Sequence, residues 1–127
     1  MCGVGCSGST SRPSPAPKIT GKIHMLFMVR IRVELPGEMG PAEAKALGDA
    51  EADRAIELIQ AGKMRKVWRI VGERANFSIW EADSLEEFHA DISSLPLHPW
   101  MTVEVTPMIE HPATQAYEDR IGPFPTI

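Results

Sequence analysis

Cysteine is nearly absent from this chain. Of its 127 residues only Cys2 and Cys6 carry thiols, both at the extreme N-terminus. A core without cysteine needs no disulfide and suits a reducing cytoplasm. Two thiols with no third or fourth ligand beside them make a poor metal site, so no metal is expected. Positive charge is not in excess either: 13 Lys and Arg face 17 Asp and Glu, for a net charge of −4. The signs are mixed along the chain, which argues against the basic stripe of a nucleic-acid surface. No apolar run approaches the roughly 20 residues that cross a bilayer, and no membrane partner is expected. Residues 1–24 also lack the apolar centre of a signal peptide.

What remains is the composition of an ordinary globule, 43% hydrophobic and 24% charged. The length suits one domain that buries roughly two thirds of its unfolded surface. "MCGVGCSGSTSRPSPAPKITGKIH", residues 1–24, is mostly Gly, Ser, Pro and Thr with little to bury. It is expected to be a disordered extension. The globular pattern starts at Met25.

From Leu26 to Leu35 apolar Phe27, Val29, Ile31, Val33 and Leu35 alternate with Met28, Arg30, Arg32 and Glu34. This predicts a strand. "PGEMGP" breaks it, and Pro41 suits the first turn of a helix that runs to about Ala61 and stops at Gly62. "MRKVWRIVG" and "ANFSIWEA" read as two further strands. Ser84 with Glu87 forms a capping box ahead of "LEEFHADISSL", a second helix with Leu85, Phe88, Ile92 and Leu95 inward. "LPLHPW" is a proline-locked turn, and "MTVEVTPMI" is a last strand. From His111 to Ile127 an irregular tail is expected, leaving residues 25–110 as the domain. The order β-α-β-β-α-β is the split βαβ, or ferredoxin-like, α+β pattern: a four-stranded antiparallel sheet with two helices on one face. The other sheet face has no third layer in this chain, so a homo-oligomer is expected.

Polar residues at inward positions are the candidates for function. Glu51 lies in the helical stripe made by Leu47, Ala55, Leu58 and Ile59. An unpaired carboxylate there costs several kcal/mol. It is either a proton-transfer group or the partner of Arg54 or Lys45 at the helix edge. His89 follows Leu85 by one helical turn, and is either a satisfied core residue or a second proton-transfer group. A two-residue turn at Glu73 and Arg74 pairs Gly72 with Ala75. Trp68, Ile70, Phe77 and Ile79 then form the face expected under the helices. Val67, Arg69, Val71, Asn76, Ser78 and Trp80 form the other. Arg69, Asn76 and Ser78 either orient a small polar ligand or line a subunit interface. This register puts them across the sheet from Glu51; a longer turn, or a site at the end of the layer, brings the two sets together.

"MLFMVRIRVELP", "WRIVGERANFSIWE", "LHPWMTVEV" and the His111–Pro112 pair, in this spacing, resemble the muconolactone Δ-isomerases of aromatic-acid catabolism. The resemblance runs without gaps from Met25 to about Arg120. It implies a dimeric α/β barrel, assembled to decamers in some members. It also implies a cofactor-free proton shift that converts muconolactone into 3-oxoadipate enol-lactone; no cofactor motif is present in the chain. Glu51 stands at the family's helix glutamate and is the expected base. Arg69, in the "WR" pair with Trp68, is expected to clamp a carboxylate, and Asn76 and Ser78 match "AN.S". The expected substrate-binding set is Arg69, Asn76, Ser78, Trp68 and His89. The chain departs from the family at Gly48, where relatives carry lysine, at Arg74, where they carry an aromatic, and at Met28, where they carry histidine. Lys45 or Arg74 are the candidates to supply the missing charge. Two other readings of the scaffold are a chloromuconolactone dehalogenase-type lyase, in which the same base drives loss of chloride, and a non-catalytic small-molecule binding module.

Overall fold

The computed structural model describes residues 24–125. The expected extension, apart from His24, lies outside them. The described elements are β1 (Met25–Val33), α1 (Pro41–Gln60), β2 (Met64–Arg69), β3 (Ala75–Ala82), α2 (Leu85–Ser93), β4 (Met101–Met108) and α3 (Pro112–Arg120), with a 3₁₀ turn at His98–Trp100. The strands form one sheet in the order β2-β3-β1-β4, every neighbouring pair antiparallel. This is the ferredoxin-like α+β topology expected from the pattern. The third helix, α3, corrects the expectation of an irregular tail. Pro112 opens it at a position where a missing N–H costs nothing, and the His111 ring accepts from Ala113 N–H at 3.0 Å.

Local signals account for the helix ends. α1 begins with Pro41 and ends at Gly62, whose φ of 79° suits glycine. Gly62 N–H donates to Ile59 O and Lys63 N–H to Leu58 O, both at 3.0 Å. That pair of bonds satisfies carbonyls the helix end would leave open. Ser84 caps α2 by accepting from Glu87 N–H at 3.0 Å. The Glu87 carboxylate turns instead to Lys63, at 3.1 Å, which also reaches buried Asp91 at 3.0 Å. These hydrogen bonds, donated by Lys63 to Asp91 and then to Glu87, push the pKa of the Lys63 ammonium above its ordinary value. They tie the end of α1 to α2.

The helix-covered face is the reverse of the expected one. Phe27, Val29 and Ile31 of β1 are buried, and they pair with Trp80, Ser78 and Asn76 of β3. Trp80 is fully buried, with Phe88 edge-on at 5.7 Å, and Phe88 stacks on Phe27 at 4.3 Å. Phe77 and Trp68, expected in the core, lie on the open face at 41% and 39% exposure. The large indole and its partners fill the space beneath α2, while Trp68 and Phe77 face away from both helices. The turn is longer than expected as well. Ile70 N–H donates to Ala75 O at 3.0 Å, Arg69 pairs with Asn76, and Val71–Arg74 make the connection. Glu73 N–H closes on Ile70 O at 3.2 Å, with Gly72 at a φ of 84° in the third position, the pattern of a type II turn. The register therefore moves by an even number of residues. The two face sets stay as expected, and only their assignment to core and open side changes.

The helices bury less than their patterns imply. Leu58 of α1 is buried and Ala55 packs on the core, but Ile59 is 45% exposed. In α2, Phe88, Asp91 and Ile92 face inward, with Leu95 just beyond. Leu85 is 60% exposed, and His89 lies exposed one turn further on. Phe88 is the contact that joins α2 to both central strands. Phe88→Ala should lower unfolding free energy by about 3–5 kcal/mol in urea denaturation; a loss below 1 kcal/mol would show that α2 is not anchored there.

Candidate active site

A cavity of about 260 Å³ opens at one end of the layer, between α1 and the sheet. Its walls are Val33, Gly48, Glu51, Arg69, Arg74, Ala75, Asn76, Leu97 and Met101. These are the end of β1, the middle of α1, the β2–β3 connection and the turn that leads into β4. The volume suits a small ligand, just below the usual range of about 300–1,000 Å³. Glu51, Arg69 and Asn76 therefore meet in one place. They do so because β2 and β3 present Arg69 and Asn76 to the helix side, where Glu51 also points.

Glu51 takes neither cation that the sequence offered it. Lys45 pairs with Asp49 at 2.9 Å, and Arg54 pairs with Glu57 and donates to Ser94 Oγ, each at 2.8 Å. Leu97 N–H instead donates to Glu51 Oε1 at 2.9 Å. Leu97 sits between Pro96 and Pro99, in the turn that carries the chain into β4, so the donor belongs to a stiff segment. The carboxylate is half-buried. Burial raises its pKa above the ordinary 4.5, and the Leu97 bond opposes that rise without cancelling it. The other oxygen, Oε2, has no hydrogen-bond partner among the described residues.

The remaining expected residues divide. Arg69 lines the cavity, and its guanidinium has no ion pair or hydrogen bond among the described residues. Asn76 also lines it, with its Oδ1 buried and unpartnered. An amide atom left so is worth about 1–3 kcal/mol to whatever satisfies it. Ser78 is corrected: it is 1% exposed, absent from the cavity wall, and its Oγ accepts the Trp80 indole N–H at 2.8 Å. It is a core hydroxyl that makes a buried tryptophan affordable. Trp68 is on the open face, and His89 is exposed on α2; neither lines the cavity. The Leu97 N–H was missed. A backbone donor leaves no mark in residue type, and its only trace is the proline-bracketed turn.

A larger hollow of about 460 Å³ at the other end of the sheet is lined by His24, Leu26, Arg65, Glu81, Met108, Ile109 and Glu110. Its Glu81 is already engaged by Arg65 at 2.8 Å and His24 at 3.4 Å. The smaller cavity is the one that holds a carboxylate with a free oxygen beside unpaired cations.

The sequence is matched by the muconolactone delta-isomerase family model over residues 25–114. The chain belongs to that family. The muconolactone Delta-isomerase of Cupriavidus pinatubonensis is 41% identical over 90 residues, 71% of this chain and 98% of that protein. That of Pseudomonas aeruginosa is 38% identical over 96 residues, 76% of this chain and all of its own length. A crystal structure of muconolactone isomerase matches with a TM-score of 0.67 and 40% identity, covering 70% of this chain and 93% of the other. The fold and cavity described above thus belong to a muconolactone delta-isomerase family member.

The electrostatics of Glu51 carry a measurable consequence. Its raised pKa means that the folded state holds this proton more tightly than the unfolded chain does. The contribution to stability is full below the unfolded value, near 4.5, and is lost as pH rises through the raised folded value. Glu51→Gln retains an oxygen for Leu97 N–H and removes that loss. In urea denaturation the variant should match the wild type near pH 4 and be more stable at pH 7. An equal offset at both pH values would contradict the raised pKa.

Proposed function

We propose that this chain is a cofactor-free isomerase that converts muconolactone, or a closely related lactone, into the enol-lactone of 3-oxoadipate during aromatic-acid breakdown in the cytoplasm. The observation that carries the reading is the half-buried Glu51 in a cavity of suitable size, with one oxygen held and the other free. The reaction moves one ring proton and one double bond. It needs a single base that takes the proton and returns it to another carbon on the same ring face. Leu97 N–H fixes Oε1, so Oε2 is the oxygen that moves the proton. Burial makes Glu51 a stronger base than an exposed carboxylate, which brings it closer to a carbon acid. Arg69 holds the substrate carboxylate, and a guanidinium can do so through two parallel hydrogen bonds. Asn76 offers its unused amide atom to the lactone.

The protein acts as a homo-oligomer in this reading. The open sheet face carries Trp68 and Phe77, 39% and 41% exposed. Apolar patches of that kind mark interfaces on soluble proteins, and a second copy is the simplest cover. Light scattering at micromolar concentration should give a dimer or larger; a monomer would contradict it. No described helix is long and apolar enough to cross a membrane.

Purified protein mixed with muconolactone should form the enol-lactone without added metal or cofactor. Glu51→Gln should fold normally and lower turnover by about 10²–10⁴-fold. Near-wild-type turnover by that variant would remove Glu51 from the mechanism.

A further inference from the structure

The cavity contains two arginines, and the reaction proposed for it uses only one. Arg74 stands on the wall with Arg69, and its guanidinium is likewise without a hydrogen bond or ion pair among the described residues. Other cations near this end of the fold are committed elsewhere. Arg30 and Arg32 both bind Glu73 Oε1, at 2.8 and 3.3 Å. Lys45 and Arg54 are held on α1 by Asp49 and Glu57. The α1 wall itself presents Gly48, where an added Cβ would meet nothing within 4 Å. Positive charge therefore enters the cavity from the sheet end alone.

The backbone that carries Arg74 is fixed on three sides. Val33 N–H donates to Arg74 O at 3.1 Å. Glu73, the residue before it, is clamped by the two β1 arginines. Gly72 supplies the positive φ that lets the turn close. The turn therefore fixes the point from which the solvent-accessible Arg74 side chain leaves the backbone, at the wall of the cavity.

Charge accounting distinguishes the roles of the two arginines. With Glu51 ionised, Arg69, Arg74 and Glu51 together leave one net positive charge, which a monocarboxylate neutralises. Proton transfer makes Glu51 neutral and the substrate a dianion, its second charge on the lactone carbonyl oxygen. The two guanidiniums then match the two negative charges. We propose that Arg74 stabilises the enolate oxygen formed when Glu51 takes the ring proton, while Arg69 holds the carboxylate. The inference rests on the lactone-isomerase reading above. The step balances without any co-reactant. The ring C–H bond breaks, its proton passes to Glu51 Oε2, and its electron pair runs through the conjugated ring to the carbonyl oxygen. The pair returns as the proton is delivered to the carbon beside that carbonyl. A cation aimed at charge that exists only after proton transfer lowers the barrier more than it tightens substrate binding.

The test compares the full-length wild type, Arg74→Met, Arg74→Lys and Arg69→Met, after circular dichroism shows that each is folded. Muconolactone turnover is measured, together with binding of its saturated lactone carboxylate, which lacks the ring double bond and so cannot pass the electron pair of the reacting ring carbon to the carbonyl oxygen. Arg74→Met should lower kcat about 100-fold, change KM less than threefold, and leave binding of the saturated analogue unchanged. Arg74→Lys should recover part of kcat. Arg69→Met should instead weaken binding of the analogue at least tenfold. An unchanged kcat in Arg74→Met, or a rise in KM with kcat intact, overturns the proposal while the isomerase reading stands. A wild type that does not isomerise muconolactone overturns the isomerase reading itself. In that event titration with glutarate, a dianion, decides the second anion subsite: at least tenfold weaker binding by Arg74→Met upholds it, and equal binding overturns it.

Discussion

The hydrogen bond from Leu97 N–H to Glu51 Oε1 is the contact on which the site depends. A carboxylate withdrawn from water needs a donor. Had that donor been Lys45 or Arg54, Glu51 would be a well-paired ion of ordinary acidity. A single neutral backbone donor is a weaker compensation. It anchors one oxygen, leaves the other free, and lets burial keep the pKa raised. The fold supplies the donor where α1 meets the turn into β4. Prolines at 96 and 99 stiffen that turn, so the site is held by backbone geometry at least as much as by side chains.

The same end of the layer explains why polar residues tolerate the helix side of the sheet. Toward the α2 end, β3 contributes Trp80 with Ser78 as its hydrogen-bond partner, and the space is packed solid. Toward the other end, the strands contribute Arg69 and Asn76, and the space is a cavity. One face thus grades from core to site along a single strand. The cavity is sheltered without being sealed, since it opens where the strands end. The opposite face leaves Trp68 and Phe77 partly exposed.

Much of this was legible in the residues. The alternation in β1, the proline start and glycine end of α1, and the Ser84 cap each reflect a local rule, and each appears where the pattern put it. Glu51 was conspicuous because an acid interrupted an apolar stripe. The face of the hairpin was not legible, because period-two alternation says which residues go together and not which set is covered. Trp68 and Phe77 looked like core because they are the more apolar set, but what a single chain covers is decided by where the helices land. Ser78 matched a family pattern and turned out to serve Trp80 instead. His89 looked inward because it follows Leu85 by four residues. Both lie on the exposed flank, since α2 turns Phe88, Asp91 and Ile92 to the core. The tail helix was hidden by prolines that open a helix as readily as they end one.

In the proposed reaction Glu51 is a half-buried, basic carboxylate whose ionised form takes the proton. The direct measure is the titration of the Glu51 side-chain carboxyl by carbon-13 NMR, assigned by the resonance missing from Glu51→Gln, beside the pH dependence of kcat/KM for muconolactone. The account predicts a midpoint above the ordinary carboxylate value of 4.5, and activity that rises with pH through that same midpoint. A midpoint at or below 4.5, or an activity profile indifferent to it, would contradict the account.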